Sequence, residues 1–82
     1  MRIPIDINNI SINSEIYAVS ISMTNLDFNK KYKIKEIIYL DEFDVYQFIL
    51  FKMGNTRYNI YRFNIDITEL RKQKLNKILD NA

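Results

Sequence analysis

Not one cysteine or histidine occurs in this chain, so its 82 residues must hold together through a hydrophobic core alone. A domain of this size buries only about 60–65% of the surface its unfolded form exposes. Smaller cores are commonly reinforced by disulfides or structural zinc, and neither can be built without thiolates or imidazoles. The apolar residues, 48% of the total, must therefore be distributed by strand and helix periodicity around one core. A single domain spanning 1–82 is expected.

The same absences narrow the function. Without His the chain lacks a general base titrating near neutrality, and without Cys it lacks a thiolate nucleophile. One glycine, Gly54, is too few for a phosphate cradle. The expectation is a protein that is not an enzyme and needs no cofactor, no metal and no small-molecule substrate. No targeting segment and no apolar run of membrane-spanning length is legible. A thiol-free chain suits a reducing interior, so a cytoplasmic location without membrane contact is expected. Ile, Asn, Lys, Tyr and Phe make up 44 of the 82 residues, and all use A/T-rich codons. That bias points to a low-GC bacterium or its phage.

Periodicity divides the chain into an N-terminal edge strand or arm (1–14), an antiparallel β core (15–65) and a helix (66–80). Ile3, Ile5 and Ile7 alternate with polar residues, and Pro4 confines this stretch to an edge. Glu15 to Met23 reads as a strand with Tyr17, Val19 and Ile21 on one face. Lys31 to Leu40 is the clearest strand: Tyr32, Ile34, Ile38 and Leu40 share a face with Glu36 as the exception, and the lysines share the other. Asp41–Asp44 turns the chain, and Val45 to Lys52 reads as a central strand covered on both sides. Gly54-Asn55 marks a hairpin, with Arg57–Tyr61 and Phe63–Ile65 returning. Asp66 and Glu69 have capping-box spacing, with Ile65 and Leu70 as its hydrophobic staple. Beyond them Leu75, Ile78 and Leu79 extend an apolar stripe, and Arg71, Lys72, Lys74 and Lys77 fill the polar side.

The stretch Leu26–Ile34 (LDFNKKYKI), the hairpin at Met53-Gly54-Asn55, Arg57-Tyr58 and Arg62-Phe63 together resemble small SH3-like β-barrel domains of low-GC Gram-positive bacteria and their phages. The resemblance covers roughly residues 26–64. It departs at Asn29, where those domains typically carry Gly, at Ile34 in place of Val, and in the added helix. It implies a mainly β (α+β) fold, an antiparallel SH3-like barrel or sheet with one C-terminal amphipathic helix, and a binding module without chemistry. In layout, residues 46–79 are also similar to the single-strand-DNA-binding fold of transcriptional coactivators, in which paired helices make a dimer.

Charge falls in blocks: −2 over residues 1–29, +4 over 30–35, −4 over 36–44 and +4 over 45–82. Three clusters could do work. Asp41, Glu42 and Asp44, with Phe43, Tyr46 and Tyr61 as aromatic anchors, would dock on a basic protein surface; alternatively they form a solvated turn. Lys30, Lys31, Lys33 and Lys35 could track a phosphate backbone, or simply keep a strand face soluble. Arg57, Tyr58 and Arg62 could stack bases and neutralise phosphates, unless the aromatics of that strip pack inward. The favoured expectation is a stoichiometric protein-binding inhibitor or modulator, phage-encoded, acting on a host nucleic-acid-handling or anti-phage machine. The alternative is a small nucleic-acid-binding protein.

Overall fold

One strand, β3 (Lys31–Leu40), serves two halves of the molecule. Its first three residues pair antiparallel with β2 (Glu15–Ala18), setting Tyr17 against Lys31 and Glu15 against Lys33. From Ile34 onward it pairs with β4 (Val45–Leu50). The register shifts between Ile34 and Glu36, leaving Lys35 as the extra residue of a β-bulge, a device that bends a strand and sharpens its twist. The bulge also reverses the alternation. Tyr32 and Ile34 face the core before it and Ile37 after it, so Glu36, expected on the core face, is exposed. Side-chain parity depends on an unbroken period of two, and one inserted residue resets it.

Three further strands complete the sheet: β1 (Arg2–Pro4), β5 (Arg57–Asn59) and β6 (Phe63–Asp66). The order is β1-β6-β2-β3-β4-β5, with every neighbouring pair antiparallel. These assignments come from a computed structural model that describes residues 1–72. A 3-10 turn at Ile60–Arg62 is the whole connection between β5 and β6. In a flat sheet those strands would lie four spacings, about 19 Å, apart. Asn59 to Phe63 can reach only about 14 Å at full extension, so the sheet must curl. The core records that curl. Phe63 of β6 meets Phe48 of β4 at 5.9 Å between ring centroids and Tyr58 of β5 edge-on at 6.2 Å. Ile16, Ala18, Ile34, Leu50 and Ile65 fill the same core. Among the described residues no pairing joins the edges β1 and β5, so the sheet is open and not a closed barrel.

β2 is shorter than expected and presents the opposite face. It stops at Ala18, with Ile16 and Ala18 buried, while Tyr17 points outward beneath the Arg2 guanidinium, 3.6 Å from its ring centroid. The small Ala18 stands opposite Phe63, which gives the larger ring its room. Beyond it, the amides of Val19 and Ser20 both donate to the Arg62 carbonyl, which takes Val19 and Ile21 out of the alternation. β4 behaves as a central strand: Phe48, Ile49 and Leu50 are buried in succession. Gly54 (φ +68°) lies in the following turn, as does Lys52 (φ +67°). Asn29, where the resembling domains carry Gly, adopts φ +68°, a conformation Asn tolerates better than most residues.

The helix, α1, opens at residue 67 and continues through 72; Leu75, Ile78, Leu79, Lys74 and Lys77 lie outside the described residues. Asp66 is its N-cap, accepting the Thr68 amide at 2.8 Å, and Ile65 and Leu70 are both buried in the core. The Ile67 amide donates to the Met1 carbonyl at 2.8 Å, so the helix start is also fastened to the N-terminal segment. The Thr68 hydrogen bonds, with Arg2 nearby, hold the Asp66 carboxyl below its ordinary range. A carboxyl depressed in the folded state contributes stability above the unfolded value, about 3.9, and loses it as pH falls through the folded one. Asp66→Ala should therefore lower the melting temperature by about 3–10 °C at pH 7. The gap between variant and parent should narrow at pH 2; a gap that stays constant in thermal melts would mean that the ionised carboxylate is not the cap.

Candidate functional site

The β3–β4 hairpin ends in the acidic turn. The backbone closes it through Phe43 N–H to the Leu40 carbonyl (3.3 Å) and Asp44 N–H to the Asp41 carbonyl (3.4 Å), with Asp44 at φ +48°. Just behind it, Tyr39 and Tyr46 are cross-strand partners with ring centroids 4.8 Å apart, and the Tyr39 hydroxyl donates to Asp44 Oδ1. That hydrogen bond to a carboxylate raises the Tyr39 phenol above its ordinary pKa. The tip is thus braced from beneath. Asp41, Glu42, Phe43 and Asp44 are all exposed, and Phe43 keeps 73% of its surface in water. The three carboxylates do not converge: among the described residues no group of acids could hold a metal ion. Tyr46 is half-buried against Tyr39, and Tyr61, 77% exposed, sits on the 3-10 turn that packs against β4.

The Arg57–Phe63 strip is divided by the fold. Tyr58 is 2% exposed, and its hydroxyl donates to Asn25 Oδ1. Arg62 donates through Nη1 to the carbonyls of Ser20 (3.1 Å) and Ser22 (3.2 Å). Both side chains pin the connection between β2 and β3, where Leu26 is buried and the Asp27 amide donates to the Tyr32 hydroxyl at 2.8 Å. Of Arg57, Tyr58 and Arg62 only Arg57 is exposed.

The lysines are brought together differently from a simple comb. Lys30, Lys31 and Lys33 line an open groove of about 670 Å³ with Asn13, Glu15, Tyr32, Phe51, Lys52 and Met53. Lys35, displaced by the bulge, is exposed but outside that lining. Lys31 bridges Glu15 at 3.0 Å, which lowers the Glu15 pKa and raises that of Lys31. Lys30 lies 3.7 Å from Asp27 and 5.5 Å from the centre of the Tyr32 ring. Phe51, Lys52 and Met53 were not among the sequence candidates. Counting back from the 41–44 turn brings residue 52 beside Lys33; the bulge moves the register by one, and the Phe51 amide donates to the Lys33 carbonyl at 3.0 Å.

Compared with known proteins, the chain matches no family model, no curated protein and no solved structure. Among the described residues no helix is long and apolar enough to cross a membrane. The roles assigned to Tyr58 and Asn25 are open to direct measurement. Tyr58→Phe leaves the ring in the core and removes only the hydroxyl, so unfolding free energy should fall by about 0.5–1.5 kcal/mol. An unchanged denaturation midpoint would show that the hydroxyl does not anchor the loop.

Proposed function

We propose that this chain is a non-catalytic, SH3-like binding module that docks on a partner protein through the tip of its β3–β4 hairpin. The observation that carries this reading is Phe43: a large ring held out in water at the apex of a braced turn, among three exposed carboxylates. Aromatic residues at the centre of an interface dominate its energy, while charges at the rim steer encounter and set specificity. The Tyr39–Tyr46 pair and the Tyr39–Asp44 hydrogen bond limit the freedom the tip would lose on binding, which favours affinity. The complementary partner surface is basic with an apolar pocket. The order of strands and the 3-10 turn before the last of them support the SH3-like reading. The A/T-rich codon bias supports a source in a low-GC bacterium or phage. There, stoichiometric occupation of a host machine is the mode of action we propose.

The test places a photoreactive p-benzoylphenylalanine at position 43 and, as a control, at position 35, in an extract of the cells that carry the gene. One saturable adduct at a fixed molar ratio is expected from position 43 alone. With the partner isolated, Phe43→Ala should speed dissociation at least tenfold, and joint reversal of Asp41, Glu42 and Asp44 to Lys should slow association at low salt. Equal cross-linking from both positions, or rates indifferent to both variants, would remove the tip as the docking surface.

A further inference from the structure

At the opposite end of β3 from the acidic tip, we propose that the groove between the start of β3 and the end of β4 binds single-stranded nucleic acid. Eight residues separate Lys33 from Asp41, about 26 Å along a strand, so the two surfaces are distinct and this inference does not rest on the docking reading. Four lysines, Lys30, Lys31, Lys33 and Lys52, face the groove with a single carboxylate, Glu15, which is committed to Lys31. Among the described residues Lys33 and Lys52 have no carboxylate within ion-pair distance. Lys31 and Lys33 stand two residues apart on one strand face, a repeat of about 6.7 Å, on the scale of successive phosphates in an extended strand.

The chemistry of the lining selects among polyanions. No arginine lines the groove among the described residues. The planar, bidentate fork that carboxylates prefer is therefore missing, while lysine serves phosphate as a point charge. Phe51, 39% exposed, lies among these cations, and Met53 extends the apolar floor. An aromatic face beside a cationic track is what a base needs in order to stack while its phosphate is neutralised. A stacked duplex hides its base faces from such a ring, which favours the single strand. An acidic peptide would use the charge and leave Phe51 idle.

The experiment is fluorescence anisotropy of the intact chain with labelled dT12, from 50 to 300 mM NaCl, with a twelve-residue polyglutamate as competitor. Binding is expected with a log–log salt slope of about −2 to −3, near −0.7 for each phosphate engaged. Joint Lys33→Gln and Lys52→Gln substitution should weaken it at least tenfold at 100 mM salt and flatten the slope by about 1.4. Phe51→Ala should weaken it roughly 5- to 100-fold with the slope unchanged. All three side chains are exposed, so the variants should fold, and circular dichroism of each variant is the control. Failure to bind at 50 mM salt would overturn the proposal. So would equal competition by polyglutamate, which would make the groove a general polyanion or acidic-peptide site. Indifference to Phe51→Ala, or loss of binding only on Arg71→Gln and Lys72→Gln, would overturn it equally.

Discussion

The bulge at Lys35 is the constraint on which the other features depend. With it, a single strand gives three residues to β2 and the remainder to β4, and the bend between the two stretches brings the halves face to face. Phe48 and Tyr58 from one half can then close on Phe63 from the other, burying aromatic rings that no flat sheet of this size would cover. Each fully buried ring or aliphatic side chain contributes roughly 1.5–3 kcal/mol. A chain without cysteine or histidine has no thiolate or imidazole from which to build a disulfide or a Cys/His zinc staple that could stand in for that contribution. The short 3-10 link to β6 and the loop pinned by Arg62 and Tyr58 follow from the same curl.

The surface inherits its polarity from this strand. Because β3 runs the length of the sheet, its N-terminal lysines and the acids that follow its C-terminus are held at opposite ends of one rigid element. β4, as its hairpin partner, adds Val45 and Tyr46 at the acidic end, and the turn that follows β4 adds Phe51, Lys52 and Met53 at the cationic end. A small domain thus offers two separate faces of opposite sign, each with an exposed phenylalanine. Neither face requires titration near neutrality, in keeping with a chain that has no imidazole.

Much of the architecture was legible as period and punctuation. The bounds of β3 coincide with the apolar alternation from Lys31 to Leu40, and Asp66 caps the helix it was expected to cap. The edge position of Pro4 and the turn at 41–44 follow from the same local chemistry. What failed was parity. The exception at Glu36 was visible in the sequence, yet it was the trace of an inserted residue, and only pairing with β4 shows where the alternation resets. In β2 it is Ile16 and Ala18 that face the core and not Tyr17, and Val19 and Ile21 lie beyond the strand, where the Arg62 carbonyl from forty residues away holds the amides of Val19 and Ser20. For the sites, local clusters survived as clusters: the acidic tip stays together because a turn keeps it so. The Arg57–Phe63 strip and the lysine comb were divided by burial and by the bulge, which are properties of the fold and not of the spacing.

Deleting Lys35 tests the role of the bulge most directly. The residue is exposed, so replacing it with alanine should change stability by no more than about 0.5 kcal/mol. Deletion instead leaves Ile34 opposite Leu50 and Glu36 opposite Ile49 in an unbroken ladder, which removes the bend in β3 and draws Phe63 away from Phe48 and Tyr58. Chemical denaturation of the intact chain should then show a loss of at least about 2–5 kcal/mol, the scale of losing a large buried side chain, or no cooperative transition at all. A deletion variant that unfolds cooperatively at the parent's midpoint would contradict the account, because β3 would then reach both halves of the molecule without the extra residue.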